Sequence, residues 1–345
     1  MKKEKYSKTF ILIKNLEKRK IHWYLKLLTL LLITLFFCIL QLSVGETTYS
    51  LSEVVGTLFG HPSSAYFVIN VLRLPRMLAG LFAGFAFGTV GYIFQTMFNN
   101  PLANPDVLGV TSGSSFAAVL CILLFGAGQI IISLWAITVA LFISIMLFLL
   151  SGLKRVSLGK MIIVGIGFQA IFNALISYLM IIGNQQSLPL VLRWLNGSLN
   201  GISLSQLPLL FLAIIVLVPI ITFYGKHLKQ LELGEDVAKS LGVKTNFLKI
   251  FLITTTVLLI GVSTSVTGPI TFVSFLVGPI INKIMGKNFS NVLPAGFLGS
   301  ILVLCSDFIG QNAFNYKFPV GVITGLFGAP YLIWILIQMS RKGVL

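Results

Sequence analysis

From residue 26 onward the chain is a series of long apolar runs, separated by glycine, proline and short charged clusters. The runs do not alternate apolar and polar residues, so they do not read as barrel strands. About 20 consecutive apolar residues cross a hydrocarbon core of about 30 Å, and a helix satisfies its own backbone there. The pattern therefore predicts an all-α, polytopic membrane bundle of ten spans. They fall near residues 26–43, 74–94, 111–126, 130–150, 161–182, 206–224, 249–267, 270–286, 292–309 and 319–338. The third and eighth are short and rich in glycine or proline, and are expected to be tilted or broken. The longest hydrophilic stretches, 43–72, 183–205 and 225–248, are loop-sized, so no soluble domain is expected. The chain divides into a basic N-terminal segment, 1–25, and a transmembrane domain, 26–340.

Composition supports this division. Of 345 residues, 56% are hydrophobic and 10% charged, against about 25% charged in a soluble domain. The net charge of +16 would suggest nucleic acid in a soluble protein, but its placement argues against that partner. With the N-terminus inside, the cytoplasmic segments hold nine Lys/Arg in the tail. They also hold Lys154, Arg155 and Lys160; Lys226, Lys229, Lys239, Lys244 and Lys249; Lys283 and Lys287; and Arg341 and Lys342. Only Arg73, Arg76, Arg193 and Lys317 fall outside. This asymmetry predicts both termini in the cytoplasm and an even number of spans, with anionic membrane lipid as a partner of the basic segments.

The N-terminus does not read as a cleavable signal, because its basic region and the Leu25–Leu42 run are both too long. The residues before the first span mix apolar and basic types. They read either as an amphipathic helix on the membrane surface or as a disordered basic tail. Cys38, Cys121 and Cys305 lie in apolar runs as packing residues, with no close pair for a disulfide or zinc site. No cofactor is expected. No G-x-x-x-x-G-K-[ST] phosphate loop is present, so nucleotide hydrolysis, if used, belongs to another polypeptide. No acidic residue stands in the middle of a span, whereas an ion-coupled carrier usually keeps a polar site near the midplane.

Gly80, Gly84 and Gly88 recur at intervals of four in the second span, beside Ala79, Ala83 and Gly91. Small residues on one face let helix backbones approach in lipid, and packing within the chain is the expected use. Pro219, Pro269 and Pro279 interrupt apolar runs and remove a backbone hydrogen bond each.

Four segments carry more specific information. Leu72-Arg73-Leu74-Pro75-Arg76 opens the second span with two arginines on one helical face, an outward positive patch or a pair snorkelling to lipid phosphates. Gln95-Thr96-Met97-Phe98-Asn99-Asn100-Pro101-Leu102-Ala103-Asn104-Pro105-Asp106-Val107-Leu108-Gly109-Val110 forms a structured turn in the first cytoplasmic loop. Gly234-Glu235-Asp236-Val237-Ala238-Lys239-Ser240-Leu241-Gly242-Val243 reads as a short helix. Acidic residues occupy its first turn and Gly242 ends it. Its small apolar face, Val237, Ala238 and Leu241, either docks on a partner or packs on its own bundle. The segment Lys317–Tyr331 opens the last span.

Taken in this order and spacing, the four segments resemble the FecCD-type family, the iron–siderophore and vitamin B12 permeases of type II ABC importers, across residues 50–340. The resemblance implies a ten-helix subunit of the bacterial cytoplasmic membrane. Its partners would be a second permease, identical or paralogous, two ATPase subunits, and an extracytoplasmic substrate-binding protein. It implies that Arg73 and Arg76 dock the binding protein, that Asn100 and Leu102 belong to the cytoplasmic gate, and that Gly234, Glu235, Ala238, Leu241 and Gly242 belong to the ATPase coupling helix. The chain departs from the family at Gly278-Pro279-Ile280-Ile281-Asn282, where a Pro-His-x-x-Arg sequence is frequent, and at Gln311, where an arginine is frequent; Lys317 is then the substitute docking charge. The expected function is import of a ferric siderophore, driven by ATP hydrolysed on a separate chain, with no catalysis by this one. Haem and cobalamin are alternative cargoes. The rival classes are a secondary carrier and a membrane scaffold.

Overall fold

The computed structural model describes residues 2–61, 63–152, 157–286 and 289–341. Lys154, Arg155, Lys287 and Lys342, used in the charge count, lie outside them. Among the described residues the chain is helical and has no strand. The α-helices are α1 (Lys2–Ser43), α2 (Leu51–Leu58), α3 (Leu74–Met97), α4 (Val110–Phe125), α5 (Gln129–Ser151), α6 (Leu158–Ile182), α7 (Leu188–Leu195), α8 (Leu207–Gly225), α9 (Leu228–Glu232), α10 (Glu235–Ser240), α11 (Thr245–Thr267), α12 (Thr271–Met285), α13 (Val292–Asn312) and α14 (Val320–Arg341). Among the described residues, eight helical segments are long and apolar enough to cross a membrane, and α4 and α12 are shorter apolar helices. These two are the spans expected to be short.

The basic N-terminal segment is helical and belongs to the same helix as the first span. Helix α1 continues without a break across residue 25 into the first apolar run. The three hydrophilic stretches contain short helices: α2, α7, and the pair α9–α10. Ser50 caps α2 by accepting from the Glu53 N–H at 3.3 Å, which satisfies one of the donors left open at a helix start. A π-helical turn, Phe67–Arg73, leads into α3.

Helix α3 lies at the centre and packs on α8, α11, α12 and α13. Phe87, Ile93 and Phe94 on α3 are almost wholly buried. Its glycines explain how the neighbours come so close. A Cβ on Gly84 would stand 2.7 Å from Gly299 O and Ser300 Cα, and one on Gly88 would stand 2.3 Å from Ala295 O. As residue numbers rise along α3 they fall along α13, so the two helices are antiparallel and touch backbone to backbone. In lipid such contact holds helices together where no hydrophobic force acts between them. The glycine stripe serves packing within the chain, as expected. On the other side, α4, α5, α6 and α7 enclose a second apolar cluster around Ile122, Ile176 and Trp194. Helices α5, α6, α8 and α14 leave most of their apolar surface uncovered, as lipid-facing helices do.

The prolines act in two ways. Pro219 and Pro279 lie inside α8 and α12. Pro269 does not kink a helix, because it falls in the link between α11 and α12. Pro279 has no N–H to offer the carbonyl one turn earlier, that of Phe275. The Gln95 side chain replaces it, donating to Phe275 O at 3.0 Å and to Ser274 O at 3.1 Å. Buried carbonyls need such partners.

Candidate functional site

The features singled out in the sequence gather at the two ends of α3. At its N-terminal end a recess of about 460 Å³ is lined by Arg73, Arg76 and Lys317 together with Glu46, Asp307 and Gln311. The four cations assigned to one side by the charge pattern converge here, since Arg193 meets Arg76 across Asn200. Arg76 Nη1 donates to the Asn200 side-chain carbonyl, and Arg193 Nη2 donates to the Asn200 backbone carbonyl.

Arg76 is not a free docking charge. It forms a two-pronged pair with Asp307 in the last two turns of α13, Nε to Oδ2 at 2.7 Å and Nη2 to Oδ1 at 2.6 Å. The Asp307 residue is 1% exposed. Gln41 of α1 adds a third bond to that carboxylate at 3.2 Å and a further one to Leu304 O at 3.0 Å. The pair therefore ties α1, α3 and α13 together. A fork-shaped guanidinium suits a carboxylate in this geometry, and a buried carboxylate needs such compensation. Within the subunit, Asp307 occupies the Arg76 guanidinium, whose side chain remains 20% exposed.

Arg73 closes a neighbouring loop. It donates to Leu42 O at 2.8 Å and Thr47 O at 2.6 Å, and its guanidinium lies 5.2 Å from the Tyr49 ring centroid. Gly45 permits this, because a Cβ there would meet Arg73 Nη2 at 2.6 Å. Among the described residues no carboxylate bonds Arg73. Lys317, at the rim, bonds Glu46 at 2.5 Å with both side chains mostly in water. That hydrogen bond, and then the ammonium charge, hold the Glu46 carboxyl below its usual range. The recess and its border thus bring four cations against two carboxylates, a surplus of positive charge. Gln311 and Lys317 line the same recess, so Lys317 stands close to where the departed arginine was expected. Sequence reasoning missed Asp307, Asn200 and Gln41. The available signal was a lone carboxylate near the end of an apolar run, on the side holding the unpaired arginines.

At the other end of α3 the chain turns sharply. Asn99 takes a left-handed conformation, φ 47°, which asparagine tolerates. Asn100 Oδ1 accepts from the Leu102 N–H at 2.9 Å, and Asn104 bonds Asp106 at 2.8 Å. Asn100 is exposed and Leu102 half-buried. The turn ends at Gly109, φ 73°, against Gly165 of α6, where a Cβ on Gly165 would meet Val107 O at 2.3 Å. Burial pushes the Asp106 carboxyl above its usual range.

Nearby, α10 is bounded by Gly234, φ 106°, and Gly242, φ 84°. The Val243 N–H reaches Ala238 O at 3.0 Å and the Gly242 N–H reaches Lys239 O at 2.9 Å, a glycine-type helix end. Glu235 bonds Lys249 at 2.6 Å and Lys239 at 3.1 Å. The Lys249 hydrogen bond, ahead of the other contributions, holds the Glu235 carboxyl at about 2. The expected apolar face is split. Ala238 is 0% exposed and turned into the chain's own bundle, whereas Val237 and Leu241 are 47% and 56% exposed. The surface offered outward is therefore Val237 and Leu241, joined by Leu233 at 64% exposed.

Known proteins resemble this chain in sequence and in overall fold. The FecCD transport family model matches residues 31–338. The chain is 32% identical over 300 residues to the ferric enterobactin permease FepG of Escherichia coli, covering 86% of this chain and 91% of that protein. It is 31% identical over 321 residues to the Fe(3+)-citrate import permease YfmE of Bacillus subtilis, covering 92% and 96%. It is 30% identical over 334 residues to the vitamin B12 import permease BtuC of Salmonella, covering 94% and 98%. Among solved structures, an inward-facing transporter of the metal-chelate ABC type superposes with a TM-score of 0.81 at 28% identity, over 90% of this chain and 98% of that one. The chain belongs to the FecCD transport family and is a multi-pass membrane permease of the ABC-importer type.

Proposed function

We propose that this chain is the membrane-spanning subunit of an ATP-driven importer for a ferric siderophore in a bacterial cytoplasmic membrane. Both termini face the cytoplasm. A second permease completes the path, two ATPase subunits seat on the α10 side, and a substrate-binding protein docks over the recess at the start of α3. The observation that carries this reading is the convergence of Arg73, Arg76, Arg193 and Lys317 on one recess, with the uncovered Val237–Leu241 surface at the opposite end of α3. Iron-chelate cargo is supported by the names of two relatives, FepG at 32% identity and YfmE at 31%. Cobalamin is the second cargo reading, supported by the BtuC relative.

In this reading Asn100 and Leu102 form part of the cytoplasmic gate, and the chain itself performs no covalent chemistry. Two states of the path are biased by nucleotide below and by the binding protein above. Arg73 and Lys317 carry the docking charge, while Arg76 holds the platform beneath them. A secondary carrier would be expected to keep an ionisable group at mid-span. The described spans keep their charges near the ends, at positions such as Lys249, Lys283 and Asp307.

Co-purification of the tagged chain from its native membrane tests the assembly. Recovery of an ATPase is expected; a chain that purifies alone and still transports in vesicles would make it a carrier. In assembled vesicles, ATP-dependent uptake of a ferric siderophore but not of cobalamin is expected, and the reverse preference would move the cargo to cobalamin.

A further inference from the structure

We propose that the N-terminal helix and the end of α12 form a binding site for the headgroup of an anionic phospholipid in the cytoplasmic leaflet. A cavity of about 510 Å³ is lined by Lys18, Arg19, His22, Trp23 and Lys26 of α1, with Met285 and Phe289 opposite. Among the described residues no carboxylate lines it. Its wall is a built surface. Trp23 Nε1 donates to Asn291 Oδ1 at 3.3 Å, and Asn291 in turn donates to Gly286 O at 2.8 Å, closing the end of α12. The Trp23 ring meets Phe289 edge-on at 6.1 Å. Lys26 Nζ donates to Ile284 O at 2.6 Å, which leaves its other two N–H groups for an anion. His22 Nδ1 lies 2.8 Å from Lys18 O.

Continuity with apolar surface selects a lipid over a free phosphate. Further along the same helix, Leu25, Leu32 and Phe36 are uncovered and lie within about 40° of Lys18 around the helix axis. A phosphodiester held by Lys18, Arg19 and Lys26 could lay its acyl chains along that strip, with Trp23 and Tyr24 at headgroup depth, where aromatic residues concentrate. Basic clusters at the cytoplasmic ends of spans attract anionic lipid in this way. Only the choice of leaflet rests on the N-terminus-inside reading above. The site does not depend on the cargo.

Native mass spectrometry of the purified permease complex, titrated with phosphatidylglycerol and with phosphatidylcholine, tests the site. The wild type is expected to hold phosphatidylglycerol preferentially. The Lys18→Gln/Arg19→Gln variant should weaken one bound lipid by roughly fivefold per charge removed, and Lys26→Gln should weaken the same one. Both residues of the first variant are exposed, so it is expected to fold, and co-purification of its usual partners verifies that independently. Unchanged phosphatidylglycerol binding in a folded double variant would overturn the proposal. So would equal retention of phosphatidylcholine. Displacement of the lipid by millimolar inorganic phosphate would reassign the cavity to free phosphate and remove the lipid.

Discussion

The two ends of α3 hold their charges in opposite ways. At the N-terminal end the partners are far apart in sequence: Arg76 and Asp307 are separated by 231 positions, and Gln41 and Asp307 by 266. The carboxylate there is buried and shared among three helices. At the C-terminal end Glu235 pairs with Lys239 four residues on and Lys249 fourteen residues on, partly in water. The first arrangement fixes the relation of helices to one another. The second shapes one short segment and leaves its apolar side chains free to meet something else. Charge at one end is thus a structural clamp with a positive rim, and at the other a local brace for an exposed surface.

The contrast predicts its largest effect at Arg76. Arg76→Ala strands the Asp307 carboxylate in the bundle and should cost about 3–5 kcal/mol, as loss of one partner of a buried pair does. Arg76→Met with Asp307→Leu removes both charges and should recover most of that loss, because a buried pair is weak evidence of net stability. Thermal inactivation of the detergent-solubilised protein measures both. If the single and double variants inactivate alike, the pair is not the clamp.

At the other end the next effect separates two neighbours on one helix. Ala238→Asp buries a charge against the bundle and should cost about 2–3 kcal/mol, limited by local unfolding of α10. Leu241→Asp should leave thermal stability unchanged and abolish ATPase recovery in co-purification. A folded Leu241→Asp protein that still brings down the ATPase would break the assignment of this surface.

Glu235→Gln is expected to cost about 1–2 kcal/mol, since the pair with nearly buried Lys249 is partly screened by water. Its pH signature has a definite sign. The folded-state carboxyl is held at about 2 against the ordinary 4.5, so its contribution is full above pH 4.5 and is lost as pH falls toward 2. The wild type should lose its stability advantage over Glu235→Gln across that window; a constant difference would mean that the Lys249 pair is not its source.

The division between what the sequence disclosed and what it did not follows the same line. Spans, the glycine stripe, the turn at Asn99–Asn104 and the limits of α10 depend on residues near one another, and periodicity or turn chemistry exposes them. The short α4 and α12 were legible because glycine and proline interrupt their runs. The Arg76–Asp307 clamp was not, because nothing local in either helix names the other. Nor was the inward turn of Ala238, since a six-residue helix with apolar positions at 237 and 238, followed by Leu241, does not say which of them the bundle takes. Gln95 covering the carbonyl freed by Pro279 is a third case: proline announces the missing bond, but the residue that replaces it is 184 positions away.

The smallest expected effect belongs to Lys317, and it is the most discriminating. Its ion pair with Glu46 is exposed, so Lys317→Gln should leave thermal stability unchanged, as most surface pairs contribute little. If Lys317 replaces the arginine expected at Gln311, the same change should weaken docking of the binding protein, chiefly through a slower association rate that converges with the wild type at high salt. Arg73→Glu should act in the same direction and more strongly, with some loss of stability from the bonds to Leu42 and Thr47. Titration of the binding protein by surface plasmon resonance at several salt concentrations separates the two contributions. A Lys317→Gln protein with an unaltered association rate at low salt would leave the rim charge without a partner and confine the function of this end to the Arg76–Asp307 clamp.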